Sequence, residues 1–245
     1  MPKALFFNVP AHGHINPSLP LLTELVRRGH DITYFASEGY RARIEASGAQ
    51  FQAYADIHDD YFDKDGLHAG VPQRVALALM TTTEQILPTL LQSARTAKPD
   101  YVLYDGMCPW GYFLAYTLRL PAVVSLSLMA LSSPPPSALL NWDMLSTILP
   151  MITQDFSKGL AANKLSRALG EKYKVTPLGT TRFLNVPGDL AISYTSREFQ
   201  PYADTVSPTV RFVGRTIDET PAKTPFSFER VQGRKLVYVS LGTLN

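Results

Sequence analysis

The sequence is short of cysteine, of charge and of long apolar runs, and each shortage excludes a class of protein. Because Cys108 is the single cysteine, no disulfide can form within the chain and no cysteine cluster can bind zinc. Charged residues make up only 18% and the net charge is +2, so neither nucleic acid nor an anionic membrane is expected as the main partner. The most apolar stretch, residues 110–131, is interrupted by Arg119 and Pro121, which leaves pieces too short to span a bilayer.

The chain nevertheless contains enough apolar material for a folded domain. It has 245 residues, of which 45% are hydrophobic, so it can bury a sizeable core in one or two domains and is not a disordered protein. The apolar segment that follows Lys3 is too brief for a secretory signal peptide. We therefore expect a soluble, cytoplasmic protein.

Short apolar runs alternate with helix-like patterns over the first half of the chain. The expected strands cover residues 4–9, 31–36, 51–54, 101–104 and 122–127, and the expected helices cover residues 18–28, 38–47, 71–97 and 110–119. Strands that alternate with helices indicate a parallel sheet with helices on both faces, which is a doubly wound, Rossmann-like α/β fold. An α+β arrangement is the alternative.

The second half of the chain gives weaker patterns. The further elements expected there are a mostly helical segment at residues 139–174 and strands at residues 189–194 and 210–213. Residues 216–235 have the composition of a linker, and residues 236–243 have the pattern of a buried strand with a glycine turn, which normally opens a βα unit. Because no helix follows, we expect one domain over 1–215 and, over 236–245, the first strand of a second domain that is cut off or supplied as another chain.

The expected topology brings two distant polar segments together. In an open parallel sheet, ligands bind beyond the carboxyl ends of the strands, at the point where the strand order reverses. In the order 3-2-1-4-5 that point lies between the first and fourth strands. The first is followed by residues 10–17, which include His12 and His14, and the fourth is followed by Asp105.

A histidine beside an aspartate suits proton transfer from a hydroxyl. Imidazole titrates close to neutral pH, and a carboxylate bonded to its far nitrogen fixes the tautomer and stabilises the imidazolium. Since no serine or cysteine lies obviously beside the pair, the nucleophile is expected to be the substrate's own oxygen, which favours group transfer to an alcohol or phenol. We expect His14 to act and His12 to shape the loop; the alternative is that both are turn histidines bonded to backbone groups.

These residues carry a resemblance to a known family. Gly13-His14-Ile-Asn-Pro17 after the first strand, Asp105 after Val-Leu-Tyr, and Val239-Ser-Leu-Gly-Thr243 after a linker resemble family 1 glycosyltransferases of the GT-B fold. The likeness is to bacterial enzymes of the macrolide type, which also glycosylate flavonoids and other phenols. It extends over essentially the whole chain, as the N-terminal, acceptor-binding half of such an enzyme.

The resemblance implies a reaction and a set of roles. Members of the family transfer a sugar from a nucleotide diphosphate with inversion and without a metal or other cofactor. The resemblance implies a nucleotide-diphosphate sugar as co-substrate, and UDP-glucose is the one expected. His14 would be the general base, Asp105 would orient it, and Gly13 and Thr243 would contact the donor. The family's nucleotide-sugar pocket lies in the C-terminal half, so this chain alone should bind acceptors and turn over donor poorly.

The wall of the acceptor site is expected to be apolar and adaptable. The candidate residues, taken from the loop over 56–70, the long helix and the segments after the fourth and fifth strands, are Phe62, Met80, Thr83, Met107, Trp110, Met129 and Ser132. Plain core packing is the alternative for each of them.

Other signals and functions are weaker. Asp63-Lys64-Asp65 has a spacing that could hold a divalent cation, but a solvated loop is favoured because two carboxylates make a poor cage. Cys108 is expected to be a packing residue rather than a nucleophile. The first turn lacks Gly-x-Gly-x-x-Gly, which disfavours a dinucleotide-dependent oxidoreductase. A non-catalytic module that binds hydrophobic small molecules, or an orphan half that needs a partner chain, remains the competing function.

Overall fold

A parallel sheet with helices on both faces forms the framework of the molecule. The computed structural model describes residues 1–62, 71–133, 135, 146, 153–179, 182–216, 227–237 and 239. Among them, seven strands form one sheet in the order β3-β2-β1-β4-β5-β6-β7, and every neighbouring pair is parallel. The predicted doubly wound fold is therefore confirmed, and the two further strands predicted at residues 189–194 and 210–213 extend the sheet beyond β5.

The observed elements follow the sequence pattern closely. The strands are β1 (Lys3–Phe7), β2 (Asp31–Ala36), β3 (Gln50–Ala53), β4 (Tyr101–Asp105), β5 (Ala122–Leu126), β6 (Leu190–Ser193) and β7 (Val210–Phe212). The helices are α1 (His12–Arg27), α2 (Arg41–Glu45) after a 3₁₀ turn at Glu38–Tyr40, α3 (Pro72–Ala97), α4 (Pro109–Leu118) and α5 (Phe156–Tyr173).

Two hydrophobic clusters cover the two faces of the sheet. Alternate residues of β1 point in opposite directions, so Phe6 packs with α1 and α2 while Phe7 packs with α3 and α4. Gly29 ends the turn after α1 with a φ of 86°, a conformation that suits a residue without a Cβ, and its N–H donates to the Val26 carbonyl. The glycine stop predicted for this helix is thus present.

The first helix begins earlier than expected. α1 starts at His12, although the pattern predicted a helix from residue 18. Pro17 and Pro20 both lie inside it, and each removes one backbone hydrogen bond within the helix. Because α1 begins at His12, His14 lies in the first turn of the helix rather than before it.

The strand predicted over residues 236–243 is not seen at the positions that the structure describes. Leu236, Val237 and Val239 lie outside any strand, and their side chains are 63%, 81% and 76% exposed. The other residues of this range, 238 and 240–243, lie outside the described residues, so the second domain stays a prediction. The predicted helical segment over 139–174 is observed as α5, and most of residues 139–152 lie outside the described residues.

Close packing of α4 against β4 makes a stability prediction. A methyl group on Gly111 would collide with the Cβ of Tyr104, an atom that cannot rotate away because it is fixed to the backbone of β4. We expect Gly111→Ala to lower the free energy of unfolding by about 1–3 kcal/mol, measured by urea denaturation. Gly179→Ala is the control, because among the described residues no atom beyond its chain neighbours lies within 4 Å of the added carbon. Equal stability of the two variants would contradict this packing.

Candidate active site

The turn between β1 and α1 places His14 at the carboxyl edge of the sheet. Asn8 follows β1, and its side-chain amide donates to the Tyr34 hydroxyl at 2.7 Å and to the His14 carbonyl at 3.3 Å. The Ser18 hydroxyl donates to the Ile15 carbonyl at 2.7 Å and lies 2.8 Å from the Tyr34 hydroxyl. These hydrogen bonds fix the first turn of α1 relative to β2, and with it the backbone that carries His14.

Asp105 ends β4 directly beside this turn. Its side chain has no exposed surface, and its Oδ1 lies 2.9 Å from Nδ1 of His14. The same oxygen accepts a hydrogen bond of 2.8 Å from the backbone N–H of Met107. The predicted meeting of His14 and Asp105, which are 91 residues apart in sequence, is therefore present in the structure.

A third polar residue, Ser127, joins the pair and was missed by the sequence analysis. Its Oγ lies 2.6 Å from Nδ1 of His14 and donates to Oδ2 of Asp105 at 3.0 Å. The expectation that no serine lies beside the pair was thus wrong. The signal was available, because Ser127 follows β5 just as Asp105 ends β4, and these two strands are neighbours in the sheet.

The electrostatics of the pair strengthen His14 as a base. Burial by itself lowers the pKa of His14, but the charge of Asp105 and the hydrogen bond to it outweigh this effect and raise the pKa above its ordinary value. The His14 side chain is 13% exposed, and no described residue hydrogen-bonds to Nε2. One ring nitrogen is therefore held by the protein, while the other is free to meet a ligand.

The remaining predicted site residues fall into two groups. Gly13 is exposed in the first turn of α1, next to His14, and Met107 lies beside Asp105. Met129 is exposed and Ser132 half-buried in the segment that follows Ser127. Gly13 and Met107 thus adjoin the pair, whereas Met129 and Ser132 follow Ser127, which contacts it. Thr243 lies outside the described residues, as do Asp63, Lys64 and Asp65.

Three of the predicted wall residues belong to the core instead. Met80, Thr83 and Trp110 have no exposed surface; the Thr83 hydroxyl donates to the carbonyl of Leu79, and the Trp110 indole N–H donates to the Tyr54 hydroxyl. Core packing, the alternative weighed for each of them, accounts for these positions. Aromatic and methionine residues on a buried helix face give the same sequence pattern as a binding wall, so the sequence could not separate the two.

The loop after β3 contacts α3 and borders a cavity there. A cavity of about 500 Å³ lies between this loop and α3, and its lining includes Tyr61, Leu77, Thr81 and Thr82. Tyr61 and Thr82 hydrogen-bond to each other at 2.9 Å. Phe62 is half-buried and packs edge-on against Tyr61 at 5.1 Å between ring centroids, so it lies beside the wall of this cavity.

The other groups weighed from the sequence have ordinary roles. Cys108 is buried, and burial raises the pKa of its thiol well above the usual range, which suits a packing residue.

Within the part of the chain that the structure describes, no three His, Cys, Asp or Glu side chains cluster closely enough to hold a metal ion. Over the same residues, no helix has both the length and the apolar character needed to cross a bilayer.

The sequence has curated relatives among bacterial glycosyltransferases, although no family model matches it. The uncharacterised UDP-glucosyltransferase YojK of Bacillus subtilis is 27% identical over 248 residues, which is 100% of this chain and 60% of YojK. The demethyllactenocin mycarosyltransferase of Streptomyces fradiae is 27% identical over 259 residues, which is 100% of this chain and 53% of that enzyme. The chain thus spans 53–60% of the length of these relatives.

Solved structures of glycosyltransferases share the fold of this chain. The calicheamicin glycosyltransferase CalG4 matches with a TM-score of 0.69 and 26% identity, over 93% of this chain and 56% of CalG4. The glycosyltransferase of kitacinnamycin matches with a TM-score of 0.68 and 22% identity, over 91% of this chain and 54% of that one. The predicted resemblance to family 1 glycosyltransferases of the GT-B fold is confirmed by these likenesses.

The pairing of His14 with Asp105 predicts a titration. In Asp105→Asn burial of the ring remains while the charge is lost, so the pKa of His14 should fall below its ordinary value, as measured by NMR titration. In the wild type the folded-state pKa is raised, so the pair's contribution to stability is present below about pH 6.5 and is lost as the pH rises through the raised pKa. Asp105→Asn should reverse this dependence, because a pKa of His14 below its ordinary value makes the variant gain stability as the pH rises.

The control for that titration is Asp204→Asn, which removes a carboxylate that is 97% exposed and pairs with Arg197 at the surface. It should leave the titration of His14 as it is in the wild type. An unchanged pKa of His14 in Asp105→Asn would show that the two groups are not coupled.

Proposed function

We propose that this chain forms the acceptor-binding part of an inverting, metal-independent glycosyltransferase, in which His14 takes the proton from an acceptor hydroxyl. The observation that carries the proposal is the 2.9 Å contact between Nδ1 of His14 and the buried Asp105 carboxylate, with Nε2 left without a protein partner among the described residues. The glycosyltransferase relatives support this assignment, because sugar transfer to an alcohol or phenol needs such a base.

The reaction consists of one displacement. The acceptor O–H gives its proton to Nε2 of His14 while its oxygen forms a bond to the anomeric carbon of the sugar. The bond from that carbon to the diphosphate oxygen breaks, and the nucleoside diphosphate leaves with the electron pair. Because attack comes from the side opposite the leaving group, the configuration inverts. The buried Asp105 charge stabilises the imidazolium that forms, and general-base help of this kind is worth about 10²–10⁴-fold.

The acceptor belongs to the class of small hydrophobic hydroxyl compounds, such as phenols, flavonoids or macrolides. The segment just after Ser127 supports this class, because it exposes three large apolar side chains next in sequence to the residue that contacts the pair: Leu128, Met129 and Leu131, each 42–48% exposed. Such side chains offer an adaptable apolar surface beside the base. One relative, the Streptomyces fradiae enzyme, is named for transfer to demethyllactenocin.

The donor is proposed to be a nucleotide diphosphate sugar, with UDP-glucose the first to test, since YojK is named a UDP-glucosyltransferase. Gly13 and Thr243 are proposed to approach the donor. The remaining length of the relatives would supply most of the donor site, either as further chain or as a partner chain. The competing proposal is a binding module without activity, which the same apolar segment would also suit.

The test measures sugar transfer from UDP-glucose to a panel of phenols, with acceptor binding followed by calorimetry. His14→Ala should lower the rate of transfer by at least about 10²-fold and leave phenol binding nearly unchanged, because only proton removal is lost. Asp105→Ala should lower the rate less completely, because the imidazole remains. His30→Gln is the matched control: this histidine precedes β2 at the opposite end of the strands and bonds to Tyr101.

Two outcomes test the assigned residues, and two more separate the enzyme from the binding module. Full activity of His14→Ala would end the assignment of the base, and unchanged rates in Asp105→Ala would remove the dyad. Phenol binding without transfer by the wild type, in a preparation whose native mass is that of one chain, would favour the binding module. A companion chain in the native assembly, together with activity, would favour an enzyme built from two parts.

A further inference from the structure

The hydroxyl of Ser127 is placed so that it contacts both members of the pair. It lies 2.6 Å from Nδ1 of His14 and 3.0 Å from Oδ2 of Asp105, while Oδ1 of Asp105 lies 2.9 Å from the same Nδ1. The three groups therefore close a ring of hydrogen bonds at the carboxyl edge of β4 and β5. The proposed reaction assigns no role to Ser127.

The directions of these hydrogen bonds follow from the protons available. A carboxylate accepts only, so the single Ser127 proton points to Oδ2 of Asp105, and the Ser127 oxygen presents a lone pair to Nδ1. Nδ1 must then carry a proton, which it shares between the Ser127 oxygen and Oδ1 of Asp105. With the proton on Nε2 instead, the lone pair of Nδ1 would face Oδ1 at 2.9 Å, which is repulsive.

The geometry also excludes Ser127 as a nucleophile activated by His14. In a Ser-His-Asp triad the serine and the aspartate occupy opposite nitrogens of the imidazole. Here both lie on Nδ1, and the serine proton is directed to the carboxylate. The basic nitrogen that remains, Nε2, has no contact with Ser127.

We propose that Ser127 is a positioning residue that holds His14 in the Nδ1–H tautomer and fixes the ring plane, so that Nε2 faces the acceptor. The Ser127 oxygen is a second acceptor for the Nδ1 proton, and it restricts rotation of the His14 ring more than Asp105 alone would. Its donation to Oδ2 also satisfies the one oxygen of the buried carboxylate that neither His14 nor the Met107 N–H reaches. The catalytic consequence rests on the proposed function, but the placement of the proton does not.

The first test reads the His14 ring without any assay of activity. In protein labelled with ¹⁵N-histidine, the five histidines give separate signals, and His14 is assigned by its loss in His14→Gln. We expect a proton on Nδ1 and none on Nε2 at a pH above the raised pKa. In Ser127→Ala the Nδ1 proton should exchange with water about tenfold faster, the effect of one net hydrogen bond. Ser127→Thr, which keeps the hydroxyl, should exchange as the wild type does.

Ser193→Ala is the matched control for loss of a serine hydroxyl. Ser193 is buried at the carboxyl end of β6, and its Oγ has no hydrogen-bond partner among the described residues. This variant should leave the His14 signals unchanged. A proton found on Nε2 in the wild type, an unchanged exchange rate in Ser127→Ala, or equal effects of Ser193→Ala and Ser127→Ala would each overturn the proposal.

The second test measures transfer to a phenol. Ser127→Ala should lower kcat about tenfold with little change in the KM for the acceptor, and Ser127→Thr should restore most of it. A loss confined to KM, or equal losses in the Ala and Thr variants, would contradict a positioning role. If the wild type itself transfers no sugar, the proposed function fails, and the NMR result still decides where the His14 proton lies and whether Ser127 holds it.

Discussion

The structure depends on the burial of one carboxylate at the carboxyl end of β4. A buried charge is costly unless hydrogen bonds replace the water that it loses. Three donors meet Asp105: Nδ1 of His14, the Met107 N–H and the Ser127 hydroxyl. Each comes from a different stretch of chain, so the carboxylate can be buried only when β1, β4 and β5 are neighbours. Fold and site are thus specified together.

The same constraint explains why the site is formed before any ligand binds. His14 is held from one side by Asp105 and Ser127, and its backbone is held from the other by Asn8, which is itself bonded to Tyr34 in β2. A ring fixed in this way loses little freedom when it meets an acceptor, so its proton-accepting nitrogen is already in place. Aromatic packing of Tyr34 against Phe6, at 4.5 Å between ring centroids, anchors this support in the core.

The sequence was informative where one physical effect dominated. Buried parallel strands are continuous apolar runs, so all seven strands could be predicted, the first five of them with their order, and this order brought His14 to Asp105. The start of α1 could not be predicted, because Pro17 and Pro20 interrupt the backbone hydrogen bonds of the helix without ending it. Met80 and Trp110 were indistinguishable from ligand contacts, since a wall and a core use the same apolar side chains. Ser127 could have been predicted, because it follows β5 and ligands bind beyond the carboxyl ends of parallel strands.

The central claim is that the free nitrogen of the His14 imidazole receives the acceptor's proton. The most direct measurement is a crystal structure of the protein soaked with a phenol that it glycosylates or binds. The account predicts that the phenol oxygen lies about 2.6–3.2 Å from Nε2, with Nδ1 still bonded to Asp105. A phenol bound with its hydroxyl away from Nε2, or a ring flipped so that Nε2 meets the carboxylate, would contradict it.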